Sequence, residues 1–222
     1  MTNLKNLQPW FFLAILTIAV VFGVTFLVNK TPSEPSALSS SANTLPASDP
    51  MASHHGGSSV RGDITDLNQL LGQNFPAFNL KDINGQTFTN ENFKNKKVVL
   101  FFNEGLMCYP SCWQQIAALA ADERFQSDNI LALSIVVDTP ADWQRAISQM
   151  PELGAAKVLF DEDRSFSTKL GMLNVASSMH FGSFPGHSYI VIDENGLISH
   201  VYDDPGMGLH NNQLAQVIAP AK

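Results

Sequence analysis

The sequence predicts one α/β domain built on a layered sheet, carried behind an apolar membrane-spanning helix and a polar tether. Three observations lead there. Short apolar strand-like runs alternate with helix-like runs and end in a hairpin, the pattern of helices packed on a sheet. Residues 10–28 contain no charged side chain. The only two cysteines, Cys108 and Cys112, stand where an apolar run gives way to a helix-like one. The chain has 222 residues, enough for one domain with appendages at about 100–200 residues per domain. Its formal net charge of -7 and the lack of a basic stripe argue against nucleic acid as a partner.

Residues 1–9 are expected in the cytoplasm and residues 10–28 (WFFLAILTIAVVFGVTFLV) across the membrane, since roughly 20 apolar residues span the hydrocarbon core. A secretory signal has a shorter apolar region and a small-residue cleavage site. Here Asn29, Lys30, Thr31 and Pro32 follow Val28, so a retained anchor is expected, with cleavage near Ala37 or Ala47 as the alternative. Lys5 and the amino terminus precede the span, which by the positive-inside rule puts the remaining chain outside the cytoplasm, in the periplasm or on the outer surface. Residues 29–63 are rich in Ser, Pro and Ala and read as a flexible linker. Within it His54, His55 and the Arg61-Gly62-Asp63 tripeptide read as solvated or turn residues.

The globular domain is expected over residues 64–222. A short amphipathic stretch (64–72) leads to two extended runs joined by Asn84-Gly85, a strong hairpin signal. Residues 97–102 (KVVLFF) read as a buried central strand. Residues 110–125 read as a helix, with Pro110 at its first position and Cys112, Ile116 and Leu119 on one face. A strand over 130–137, a helix over 140–150, a strand over 158–160 and a helical turn through Phe166 and Leu170 follow. Two strands, 189–192 and 197–202, flank the turn at 193–196, and a last helix covers 211–218. The loop 171–186, long and rich in small residues, is expected to border the cysteine site.

The chemistry concentrates at the cysteines. A thiolate, not a thiol, attacks disulfides and peroxides, and a helix N-terminus lowers a thiol's pKa. Cys108 is expected just before the first turn, as the more exposed attacking thiol, and Cys112 inside it, as the resolving one. A static disulfide is the structural alternative. Glu104 and Asp138 are candidates for moving protons, or for plain turn capping. Met172, Met179, His180, His200, Met207 and His210 are possible soft donors that read more simply as packing or surface residues. Trp113 and Trp143 read as core.

The segments GQNFPAFNLKDINGQTFT, KKVVLFFNEG, SIVVDTPADW, VLFDEDRSFSTKLGM and YIVIDENGLISHVY, in that order, resemble the redoxin superfamily of thioredoxin-like fold. It includes AhpC/TSA peroxiredoxins, TlpA-like oxidoreductases and Sco-type copper chaperones. The resemblance covers residues 72 to about 204. It implies a redox-active Cys108–Cys112 pair working on a protein thiol or disulfide, or on peroxide, with no required cofactor. The peroxiredoxin motif P-x-x-x-T/S-x-x-C fits neither cysteine: Gly105 and Tyr109 stand in its places before Cys112, Phe101 and Gly105 before Cys108. The family's arginine place holds His187. TlpA-like proteins use C-x-x-C and a cis-proline; His187 falls near that place, with Pro185 two residues earlier. Sco-type proteins use C-x-x-x-C and a distant histidine, which Cys108, Cys112 and His187 match. The resemblance therefore carries an alternative: copper(I) held by those three residues, two thiolates and an imidazole being suited to it.

Overall fold

The computed structural model describes residues 63–219. The expected anchor at 10–28, the expected linker up to residue 62 and its His54 and His55 lie outside them. Among the described residues no helix is long and apolar enough to cross a membrane.

Seven strands form one mixed sheet: β1 (Asn79–Asp82), β2 (Thr87–Thr89), β3 (Lys97–Phe102), β4 (Ile130–Val136), β5 (Val158–Phe160), β6 (Ser188–Ile192) and β7 (Ile198–Asp203). Their order is β2-β1-β5-β4-β3-β6-β7. β3 pairs parallel with β4, and β4 with β5; the other neighbours are antiparallel. Among the described residues four α-helices flank the sheet: α1 (Ser111–Ala121), α2 (Pro140–Gln149), α3 (Ser165–Lys169) and α4 (Asn211–Ile218).

The apolar run of β3 is continuous because both faces of the strand are covered. Val98, Leu100 and Phe102 enter one core with Leu133, Phe166 and Ile190. Val99 and Phe101 enter the other with Cys112, Trp113 and Ile116 of α1, Trp143 of α2 and Leu214 of α4. Side chains alternate across a strand, so this one strand contributes to both cores. The Asn84-Gly85 hairpin forms between β1 and β2 as expected, with Gly85 in the left-handed region at φ 77°.

Two expectations need correction. Pro110 is the N-cap of α1, not its first residue, and the helix stops at Ala121 instead of running to Phe125. Asp122 ends it: its backbone turns extended and its side chain accepts from the Arg124 N–H, starting a separate 3-10 turn, Glu123–Phe125. An Asp side chain competes for backbone donors in this way and so favours caps over helix interiors. The short amphipathic stretch at 64–72 contains a 3-10 turn, Leu67–Leu70, capped by Asp66.

Leu100 is 1% exposed and sits mid-strand. Leu100→Ala is expected to cost about 2–5 kcal/mol of unfolding free energy through lost burial and a residual cavity, measured by denaturant melting. A loss well under 1 kcal/mol would show that this core repacks freely.

A candidate redox-active site

After β3 the chain enters a 3-10 turn, Gly105–Cys108. Only glycine suits its first position. Gly105 has φ +62°, and a Cβ there would lie 1.7 Å from Asp138 Oδ2. The turn is held from three sides. Asn103 Oδ1 accepts from the Gly105 N–H at 2.9 Å, Asp138 Oδ2 accepts from the Leu106 N–H at 3.1 Å, and the Trp113 indole N–H donates to the Gly105 carbonyl at 3.1 Å. Trp113 is thus core, as expected, and also an anchor for the turn.

Cys108 ends that turn and Cys112 is the second residue of α1; the two form a disulfide with Cα atoms 5.3 Å apart. Both are buried, Cys108 at 3% and Cys112 at 0% exposure, so the expected difference in exposure is small. What faces outward is the rim: Met107 and Tyr109, on either side of Cys108, are exposed. Cys112 lies in the first turn of α1, where the helix field favours a thiolate.

His187 immediately precedes β6 and is buried. Its Nδ1 lies 3.5 Å from Cys112 Sγ. Its Nε2 faces the Gly208 carbonyl at 3.2 Å and the Tyr189 hydroxyl at 2.9 Å. The Phe101 ring closes the pocket edge-on, centroids 4.6 Å apart. Burial pushes the imidazole down to about 4, against a partial upward pull from the Asp204 charge and the Gly208 carbonyl. His187 is therefore neutral at pH 7 while the disulfide is closed. Burial also pushes the Tyr189 phenol up, keeping it a hydroxyl.

The segment after β7 roofs this pocket. The carboxylate of Asp204 accepts from the Gly206 N–H (2.9 Å), the Gly208 N–H (2.6 Å) and His210 Nε2 (2.7 Å). Burial pushes Asp204 up, but the bonds from His210 and the two glycine amides outweigh it, and its pKa ends below the ordinary value. Met207, in the left-handed region at φ 50°, brings Sδ to 4.0 Å from Cys108 Sγ.

Cys108, Cys112 and His187 come together: their ligand-type atoms all lie within 4.8 Å of one another. Of the other candidates, only Met207 touches a cysteine sulfur. Met172 is core. His200 is half-buried on β7, opposite Val191, and burial pushes its pKa down. Met179 and His180 fasten the loop 171–186 to Glu104: the buried carboxylate accepts from both backbone amides, at 2.8 and 3.1 Å, and bonds His180 Nδ1 at 2.8 Å. The loop thus borders the cysteine turn as expected. Glu104 and Asp138 act as backbone acceptors at this point, the capping reading. Pro185 is buried, and the one cis peptide bond among the described residues is Tyr109–Pro110. Tyr189, Asp204 and Gly208 carry no local sequence signal; adjacency to His187 exists only in the folded chain.

The AhpC/TSA family profile matches residues 71–201. The chain belongs to the AhpC/TSA family. The matched span nearly coincides with that expected from the resemblance. Among curated relatives, chloroplastic peroxiredoxin Q of Populus jackii is 29% identical over 134 residues, 60% of each chain. That of Suaeda salsa is 31% identical over 130 residues, 58% of each chain. The chain thus spans about 60% of the length of these relatives. Among solved structures, the reduced 2-Cys peroxiredoxin of Plasmodium vivax aligns with TM-score 0.56 at 21% identity, covering 67% of this chain and 80% of that one. AhpC of Enterococcus faecalis aligns with TM-score 0.57 at 17% identity, covering 67% and 90%. The fold is the thioredoxin-like α/β arrangement of these peroxiredoxins.

Burial pushes Asp138 up from 3.8 to about 6, with the Leu106 amide pulling the other way. The folded chain then binds this proton more tightly than the unfolded one. The resulting stabilisation is complete below about pH 4 and lost as pH rises through about 6. Asp138→Asn keeps an oxygen for the Leu106 amide and removes the charge. It is expected to melt higher than wild type at pH 8, the gap closing below about pH 4. A gap independent of pH would show that the charge is not what burial penalises.

Proposed function

We propose that this chain is a thiol–disulfide oxidoreductase of the peroxiredoxin-like kind, cycling Cys108 and Cys112 between dithiol and disulfide. The observation that carries it is a closed Cys108–Cys112 disulfide with a neutral imidazole 3.5 Å from Cys112 Sγ. Membership of the AhpC/TSA family supports it. A thiolate of a partner protein attacks Cys108 Sγ, the sulfur nearer the exposed rim. The S–S bond breaks and its electron pair leaves on Cys112, where the helix N-terminus favours the charge. The proton the partner thiol gave up on ionising returns from solvent to Cys112 by way of His187 Nδ1, and Cys112 becomes a thiol. A second partner thiolate attacks the partner's sulfur of the mixed disulfide, releasing Cys108 as a thiolate.

In the other direction Cys108 thiolate attacks a peroxide oxygen, the O–O bond breaks, and a sulfenic acid and an alcohol or water result. His187 takes the Cys112 proton, Cys112 attacks the Cys108 sulfur, and water leaves as the disulfide closes. A thiolate this close favours the imidazolium, so His187 is a stronger base in the reduced protein than with the disulfide closed. The missing Thr/Ser and Arg of the peroxiredoxin motif favour a protein disulfide over peroxide as the faster oxidant. The apolar span 10–28 and polar linker 29–63 support a single-pass anchor with the domain outside the cytoplasm, a compartment in which disulfides persist.

With the full chain, Cys108→Ser is expected to abolish turnover with a dithiol or peroxide. Cys112→Ser is expected to trap a mixed disulfide on Cys108, read by non-reducing mass spectrometry. A mixed disulfide trapped on Cys112 in Cys108→Ser would reverse the roles, and full turnover in both variants would leave the bridge a structural one.

A second reading is favoured by one observation, the convergence of Cys108, Cys112 and His187 within 4.8 Å, with Met207 Sδ beside Cys108 Sγ. Once reduced, these soft donors suit copper(I); the peroxiredoxin relatives lend this no support. Competition of the reduced full chain with a chromogenic chelator should give one-to-one copper binding that collapses in His187→Ala. Retention in that variant would sink it.

A further inference from the structure

His187 Nε2 faces two oxygens of different capacity. The Gly208 carbonyl can only accept, whereas the Tyr189 hydroxyl can donate or accept. The carbonyl is the partner that discriminates between the ring tautomers. With the proton on Nε2, the carbonyl accepts it and the hydroxyl oxygen takes a second share. Nδ1 then turns a lone pair toward Cys112 Sγ. With the proton on Nδ1, the carbonyl would face another lone pair at 3.2 Å, an electrostatically unfavourable contact. The position of one carbonyl therefore selects the tautomer that can take a proton from Cys112.

That carbonyl is positioned by Asp204. The Asp204 backbone N–H donates to the His187 carbonyl at 3.0 Å, extending the pairing of Ser188 with Asp203 by one residue. Its side chain then folds the next residues back, through the Gly206 and Gly208 amides. The far end of this clip is tied to the cysteine helix: the His210 N–H donates to Oε1 of Gln115, a buried α1 residue, at 2.7 Å. An aspartate binding amides two and four residues on is ordinary turn chemistry. Here the turn it makes sets the partner of the histidine that serves the resolving cysteine.

We propose that Asp204 is a positioning residue for the thiol chemistry: by holding the Gly208 carbonyl on His187 Nε2, it fixes the tautomer that leaves Nδ1 free to accept the Cys112 proton. The inference rests on the reading of His187 as the base for Cys112. Around metal-bound histidines, outer groups that orient the ring matter by about 10–100-fold when removed, and a loss of that order is expected here.

The test uses the reduced full chain carrying Cys108→Ser, so that Cys112 is the single thiol. Two readouts are taken at one pH: the 15N shifts of the His187 ring, which separate the tautomers, and the alkylation rate of Cys112. In the parent, at a pH where Cys112 is mostly a thiol, Nε2 is expected protonated and Nδ1 bare. Asp204→Ala is expected to mix the tautomers and slow alkylation about tenfold or more. Asp204→Asn, which keeps one acceptor oxygen, should fall between and covers the case in which the alanine variant does not fold. Unchanged ring shifts in a folded Asp204 variant overturn the proposal. Altered shifts, with alkylation indifferent both to Asp204→Ala and to His187→Gln, uphold the positioning and overturn the base reading instead.

Discussion

The antiparallel pairing of β3 with β6 sets Phe102 opposite Ser188, so the chain leaving β3 and the chain entering β6 meet at one end of the sheet. The first brings the cysteine turn and the second brings His187. Everything chemical about the site depends on that register. A slip of one residue would turn every side chain of β6 to the other face. It would also carry His187 away from the first turn of α1. The register is held by apolar residues on both faces. Ile190 and Ile192 enter one core, Tyr189 and Val191 the other.

Around this junction the polar groups that burial would penalise are each given a backbone partner. Asn103 and Asp138 hold the start of the cysteine turn, Glu104 holds the loop 171–186, and Asp204 holds the roof beyond β7. Each reaches across the fold or around a turn to backbone amides, and a carboxylate acceptor makes such a bond stronger than a neutral one. The result is a rigid frame around a small disulfide. A bridge closing so short a loop contributes little stability by loop entropy, in keeping with the proposed redox cycle. The frame is better suited than the bridge to hold the geometry in both redox states.

The roof is where packing and chemistry meet. One short segment after β7 places the Met207 thioether on Cys108 Sγ and the Gly208 carbonyl on His187. Met207 does so from a left-handed conformation that non-glycine residues seldom adopt, between Gly206 and Gly208. Such a conformation persists where the surroundings over-determine it, and sites of function are where it tends to occur.

The sequence by itself determined the strand and helix order, because periodicity and turn chemistry are local. The runs 97–102, 158–160 and 211–218 form the elements expected of them, and Asn84-Gly85 makes its hairpin. It also singled out Cys108, Cys112 and His187, the first two by their rarity and place, the third by the resemblance to redoxins. The end of α1 is not legible in the sequence, because a helical pattern continues past Asp122 while the Asp side chain diverts the backbone. Only the tertiary structure decided which cysteine has the imidazole, that Met207 is a neighbour of Cys108, and that Tyr189, Gly208 and Asp204 surround His187. Those contacts join residues brought together by strand pairing across the sheet, and periodicity or spacing along one chain does not encode them.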